Sequence, residues 1–159
     1  MQVQTGATGV NLLAFDIVNP SNDPVKITQL TAWEAVGPNT STLVDNSTAD
    51  FINLGLLYGS NGQAVPGGQF TSLNLLPGFT LPAPWGAPLY PSGLVVPANT
   101  TDKFIVDGAV PPYATDSNMV GTVSAVEMYV ISAIDTSTDL PVSVSGSATG
   151  NTMSIIKGQ

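Results

Sequence analysis

The fold class is decided by residues 10–33, which read Val-Asn-Leu-Leu-Ala-Phe-Asp-Ile-Val-Asn-Pro-Ser-Asn-Asp-Pro-Val-Lys-Ile-Thr-Gln-Leu-Thr-Ala-Trp. Apolar residues recur with a period of two on both sides of a turn, namely Leu13, Phe15 and Ile17 before it and Val25 and Ile27 after it. The turn, residues 19–24, consists of Asn, Pro, Ser and Asp. We therefore predict two adjacent β-strands, 10–18 and 25–33, in a fold of two sheet layers.

The alternation changes phase inside the second of these strands. Leu30 and Ala32 fall on the opposite parity from Val25 and Ile27. A β-bulge near Thr28 and Gln29 would return Leu30 to the core side, because a bulge inserts one extra residue.

The rest of the chain has the same character. Further strands are predicted at 51–58, 69–75, 93–96, 103–106, 121–134, 140–145 and 153–156. The strand at 121–134 is the longest and is apolar on both faces, which places it in the middle of a sheet. No stretch has the period of an amphipathic helix. The predicted fold is all-β, a two-sheet antiparallel β-sandwich of the Ig-like type, with a jelly roll as the alternative.

A chain of 159 residues is the size of one domain. We assign residues 1–9 to a polar lead-in or linker and residues 10–157 to the sandwich. Residues 76–92 carry five prolines and are predicted to be a long loop, because proline is excluded from helix interiors and central strands.

Composition excludes several classes of partner. Charged residues make up 9% of the chain, against about 25% in typical proteins, and the net charge is −8 with three lysines and no arginine. Nucleic acid is excluded as a partner, because too few cations are present to neutralise a row of phosphates. Membrane insertion is not expected either, since the most apolar run, 123–134, is shorter than the roughly 20 residues of a spanning helix.

The chain also lacks the usual catalytic side chains. It has no cysteine and no histidine, which removes thiolate chemistry and the Ser-His-Asp triad. Glu34 and Glu127 are its two glutamates, and both fall in or at the end of predicted strands rather than across a cleft. We predict that the protein is not an enzyme.

Four segments resemble a known family: 6–16, 24–31, 94–106 and 142–155. They are similar to the Ig-like β-sandwich modules of large repetitive surface proteins in uncultured, small-genome bacteria of the candidate phyla. The Pro-rich loop is not part of that pattern. The resemblance implies a structural or adhesive role at the cell exterior, with no catalytic residues carried over. It also implies self-association or contact with neighbouring modules of the same protein.

Two kinds of binding site are candidates. Aromatic residues that could cover the sandwich, form an interface or stack on sugar rings are Trp85, Tyr90, Tyr113 and Trp33. No cofactor is predicted except calcium as an alternative, for which the loop carboxylates are Asp45, Asp50, Asp135 and Asp139. The competing interpretation of these carboxylates is that they bond the backbone of their own turns.

The expected function is that of a non-enzymatic, extracellular structural or adhesive module at the cell surface, including a self-assembling surface or filament subunit. One alternative is a subunit of a viral capsid or filament, located in the virion. Another alternative is a carbohydrate-binding module with glycans as partners.

Overall fold

The computed structural model describes residues 1–36, 51–72, 86–89, 91–115, 120–121 and 123–158. Within these ranges the chain forms strands and no helix, so the all-β prediction is confirmed. In chain order the strands are β1 (Gln2–Gln4), β2 (Val10–Asn19), β3 (Val25–Val36), β4 (Ile52–Tyr58), β5 (Ala64–Ser72), β6 (Gly86–Leu89), β7 (Val95–Val96), β8 (Thr100–Ala109), β9 (Val123–Asp135), β10 (Pro141–Val142), β11 (Ser147–Thr149) and β12 (Met153–Ile156). No helix in the described ranges is long and apolar enough to cross a membrane.

The strands form two sheets that pack as a sandwich. The smaller sheet has the order β2-β8-β4-β5. The larger sheet has the order β1-β12-β9-β3-β6, with β10 and β11 also paired to β9, and β7 also paired to β3. Every pairing is antiparallel except β1 with β12, which is parallel. Between the sheets lies one apolar core that includes Phe51, Phe104 and Leu56, all with no exposed surface.

The first two predicted strands exist, but they are not adjacent. β2 pairs with β8 in the smaller sheet, whereas β3 pairs with β9 in the larger sheet. The turn between them therefore carries the chain from one layer to the other. Sequence alternation is the same for a hairpin and for such a crossover, because both bury one face of each strand.

Asn19 holds this crossover in place. Its side chain is 5% exposed, and its Nδ2 group donates to the backbone carbonyls of Asp23, Val96 and Pro97 at 2.9–3.1 Å. Its Oδ1 atom accepts hydrogen bonds from the backbone N–H and the hydroxyl of Ser21. One buried amide thus ties the end of β2 to the turn and to β7, with every polar atom satisfied.

The predicted irregularity in β3 is confirmed. The ladder between β3 and β9 shifts register on both sides of Gln29, and Ile27, Leu30 and Ala32 are all buried. Ile27 pairs with Ala133 and Leu30 pairs with Val130, so both strands advance by the same number of residues across the irregularity. Both strands therefore change face together, and the hydroxyls of Thr28 and Ser132 meet at 2.7 Å where they do so.

Two bulges in the pairings with β8 were not predicted, and neither was the register shift of β4 against β5 between Gly55 and Leu57. In β2 the register with β8 shifts between Asn11 and Leu13, so that Leu12 is buried together with Leu13. In β4 the shift lies between Ile52 and Gly55, where Asn53 has a φ of 52°. Each bulge adds a second consecutive inward residue, which a strict period of two does not anticipate.

Several predicted boundaries need correction. Residues 1–9 are not a linker, because β1 pairs with β12 and Val3 is 6% exposed. Residues 86–89 inside the predicted Pro-rich loop form β6, an edge strand on β3, where proline is tolerated. Strand β8 extends beyond the predicted 103–106 in both directions. The central position of β9 is confirmed, since β3 lies on one side of it and β12 on the other.

The crossover can be tested through Asn19. Replacing it with alanine leaves the carbonyls of Val96 and Pro97 without this donor, so Asn19→Ala should lower the free energy of unfolding by about 1–3 kcal/mol. The matched control is Asn22→Ala in the same turn, whose side chain makes an exposed hydrogen bond with Asn99. Chemical denaturation measures both variants, and equal losses would contradict the role given to Asn19.

Candidate functional site

A groove of about 540 Å³ runs along one side of the sandwich, between β2 and the segment that follows β9. The volume lies within the range of about 300–1,000 Å³ typical of ligand pockets. Its lining residues are Phe15, Asp16, Ile17, Val18, Asn19, Pro20, Ser21, Val25, Ile27, Val96, Met128, Val130, Ala133, Asp135, Val142, Ser143, Val144, Ser145, Gly146, Ser147 and Ala148.

The groove has an apolar floor and an apolar rim. The floor consists of core residues that are at most 9% exposed, among them Phe15, Ile27 and Met128. The rim consists of half-buried side chains that pack against this core: Ile17, Val130, Val142, Val144 and Ala148. The groove is therefore a part of the sandwich interior that remains open to solvent.

One wall of the groove is the edge of a sheet. Within the described residues, β2 pairs only with β8 and ends the smaller sheet. In an antiparallel ladder, alternate residues direct their N–H and C=O groups to the other side. The free side of β2 therefore presents a row of backbone donors and acceptors above the apolar floor.

The other described edges are poorer sites for pairing. The outer strands of the larger sheet are two to four residues long. β5 contains Pro66, whose carbonyl accepts a hydrogen bond from the N–H of Ser92. Short strands, proline and covering loops are the devices by which proteins prevent edge pairing. β2 has ten residues and neither proline nor lysine. Its bulge at Leu12 and the charge of Asp16 give some protection, and residues 13–19 form the long regular part of this edge.

The opposite wall of the groove is a segment between two short pairings with β9. We predicted one strand at 140–145, but β10 ends at Val142 and β11 begins at Ser147. Residues 143–146 lie between these two pairings with β9. Val142 and Val144 point towards the core, whereas Ser143 and Ser145 are exposed. This wall is thus extended chain with an apolar inner face.

The charge of the groove is negative. Among its lining residues, Asp16 and Asp135 are the charged ones, and both are carboxylates. An acidic ligand would be repelled by them and by the net charge of −8. The groove therefore favours an extended, apolar ligand that is neutral or basic.

Of the predicted aromatic residues, Tyr113 is described with its side chain, and it does not line this groove. Trp85 and Tyr90 lie outside the described residues, and the backbone of Trp33 pairs with Gly86 and Glu127. Tyr113 is 39% exposed, and the Nζ atom of Lys157 lies 4.4 Å from its ring centroid. A cation–π contact therefore occupies one face of Tyr113.

Two of the four predicted calcium ligands lie within the described residues. Asp45 and Asp50 lie outside the described residues, whereas Asp135 and Asp139 share the turn after β9. No group of three or more acidic, cysteine or histidine side chains gathers within the described ranges. The Oδ1 atom of Asp135 accepts hydrogen bonds from the Ser137 hydroxyl at 2.6 Å, the Ser137 N–H at 2.7 Å and the Thr138 N–H at 3.1 Å. Asp135 therefore bonds the residues of its own turn, which is the interpretation given above as the alternative to calcium binding.

Sequence reasoning missed the groove because its residues come from distant parts of the chain. β2, the start of β3, Val96 and residues 128–148 meet only after the crossover at Asn19. A local signal was present in the alternation of valine and serine at 142–145. This alternation predicts that one face of the segment is apolar. It does not show whether a neighbouring strand covers that face.

The turn after β9 should depend on pH through Asp135. The hydroxyl and then the backbone N–H of Ser137 stabilise the carboxylate and lower the pKa of Asp135, while burial opposes this shift. Because the folded-state pKa is lower than the unfolded one, the stabilisation is present above about pH 4 and is lost as the pH falls through the folded value. Asp135→Asn should therefore lower the melting temperature at pH 7, with a difference that shrinks as the pH falls below about 4 and through the folded-state pKa.

The control for this experiment is Asp139→Asn. Asp139 has a φ of 56°, which asparagine also tolerates, so this substitution should leave the melting temperature at pH 7 nearly unchanged. A melting curve of Asp135→Asn that follows the wild type at every pH would contradict the role of the carboxylate.

Comparisons of the chain with protein-family models, with curated proteins and with solved structures found no match. No relative therefore contributes a function. The open edge of β2 and the groove beside it are the features from which a function can be argued.

Proposed function

We propose that this protein is a non-enzymatic structural module of the cell exterior, which associates with further copies of itself through the open edge of β2. The observation that carries this proposal is the contrast between β2 and the other described edges. Ten residues of β2 form an edge without proline or lysine, beside an open apolar groove. Unprotected edges of this kind pair readily with other chains.

The composition agrees with this role. A chain without cysteine and histidine has few groups for acid–base or nucleophilic chemistry. A chain with 9% charged residues relies on Ser, Thr and Asn for the polarity of its surface, as many extracellular β-domains do. These features support a module that acts by contact rather than by turnover.

Strand order supports the Ig-like type of sandwich over the jelly roll. In the Ig fold the second and fifth strands share one sheet, and the third, sixth and seventh strands share the other. Here β2 lies beside β8 in the smaller sheet, while β3, β9 and β12 are neighbours in the larger one. The first strand departs from the constant-type pattern, because β1 joins the larger sheet instead of lying beside β2.

The proposal is tested by adding a charge to the edge. Ile17 is half-buried on β2 and lines the groove, so Ile17→Lys places an inward-pointing charge on the edge strand. We expect the wild type to associate as its concentration rises. Ile17→Lys should weaken this association at least about tenfold, a loss of about 1.4 kcal/mol.

The matched control is Ile105→Lys. Ile105 is also a half-buried isoleucine of the smaller sheet, but it lies on the paired strand β8 and does not line the groove. Light scattering gives the mass of each species, and electron microscopy separates filaments from closed shells of the kind that a capsid would form. A wild type that stays monomeric at all concentrations would contradict the proposal.

A further inference from the structure

The groove has the position and shape of a missing strand. In the constant-type Ig sandwich the first strand lies beside the second at the edge of its sheet. In this chain β1 pairs with β12 in the larger sheet, and no strand of the described residues lies on the other side of β2 from β8. The described lining of the groove coincides with that place, because it includes residues 15–19 of β2.

The dimensions of the edge match one strand. Residues 13–19 of β2 pair with β8 without interruption, which corresponds to roughly 20 Å of extended chain. A typical strand has this length. A strand inserted here would pair with β2 on one side and could reach residues 143–146 on the other, while its alternate side chains covered Phe15, Ile27 and Met128.

The negative charge of the groove limits which segments can bind in it as an inserted strand. Its two charged residues, Asp16 and Asp135, are carboxylates, so a complementary strand carries no acidic residue in the inserted part. The sequence of this protein contains three long stretches without aspartate or glutamate, which are residues 1–15, 51–101 and 140–159. A second copy of the chain therefore contains segments with the required chemistry, and those that lie in its own strands β1, β2, β4 to β7 and β10 to β12 would exchange their present pairing for the groove.

We infer that the groove beside β2 binds an extended, carboxylate-free segment of a second copy of this chain, which pairs with β2 and completes the smaller sheet. The inference rests on the proposed function, since it names the contact through which the copies associate. Backbone hydrogen bonds to β2 supply the general affinity, and alternate apolar side chains on the groove floor supply the specificity.

The first experiment follows amide hydrogen exchange in the wild type at concentrations below and above association. Insertion of a strand should slow the exchange of alternate amides in residues 13–18 of β2, by at least tenfold in the associated form. Amides of β5 at the opposite edge should not change. Association with unchanged exchange in β2 would overturn the groove as the contact, while leaving the proposed function in place.

The second experiment fills the groove. Val144 is half-buried in the rim, so Val144→Trp should occupy the space of the inserted side chains and weaken association at least tenfold. Thr149→Trp is the matched control, because Thr149 is exposed on β11 and does not line the groove. Circular dichroism checks that both variants keep the fold. Association of Val144→Trp with wild-type affinity would overturn the inference.

The third experiment identifies the source of the strand. Overlapping twelve-residue peptides that cover residues 1–159 are titrated against the monomer. Binding by one or more of the carboxylate-free peptides, with competition against association, supports the inference. A monomer that binds such a peptide without associating supports the groove and counts against the proposed function. If no peptide binds while the uncharged alcohol decanol does, the groove is a pocket for small apolar ligands, and the inference is overturned.

Discussion

The structure depends on the ladder between β3 and β9, where two long strands change face together. Both strands bury one parity of residues before the irregularity at Gln29 and the other parity after it. A change in one strand alone would turn half of its apolar residues towards solvent, because side chains alternate strictly along a strand. The shared change keeps the register intact, and the core therefore continues across the irregularity.

The crossover at Asn19 determines which strands can pair with the free edge of β2. By moving the chain from β2 to the opposite layer, it leaves the next strand, β3, unable to protect the edge of β2. The strand before β2 does not protect it either, since β1 joins the larger sheet. Among the described strands, the smaller sheet thus ends at β2 for a topological reason, and the apolar groove follows from that same arrangement.

Turn chemistry accounts for three of the polar side chains that line the groove, namely Asn19, Ser21 and Asp135. Asn19 and Asp135 each satisfy the backbone of their own turn, the first through a buried amide and the second through an exposed carboxylate network. Such local bonds fix the ends of the strands. The apolar groove between these turns is therefore the part of the described surface that lacks an internal partner.

The sequence by itself determined the all-β class, the two-layer arrangement, the irregularity near Gln29 and the central position of β9, because each follows from the period and phase of apolar residues. It also shows that the chain has no histidine and no cysteine, so that imidazole and thiol groups are not among its side chains. Only the tertiary structure decided that β2 and β3 lie in different sheets, that β1 belongs to the fold, and that an edge remains open at Ile17. The physical reason is that alternation records which face of a strand is buried, whereas pairing depends on backbone groups that are the same in nearly every residue.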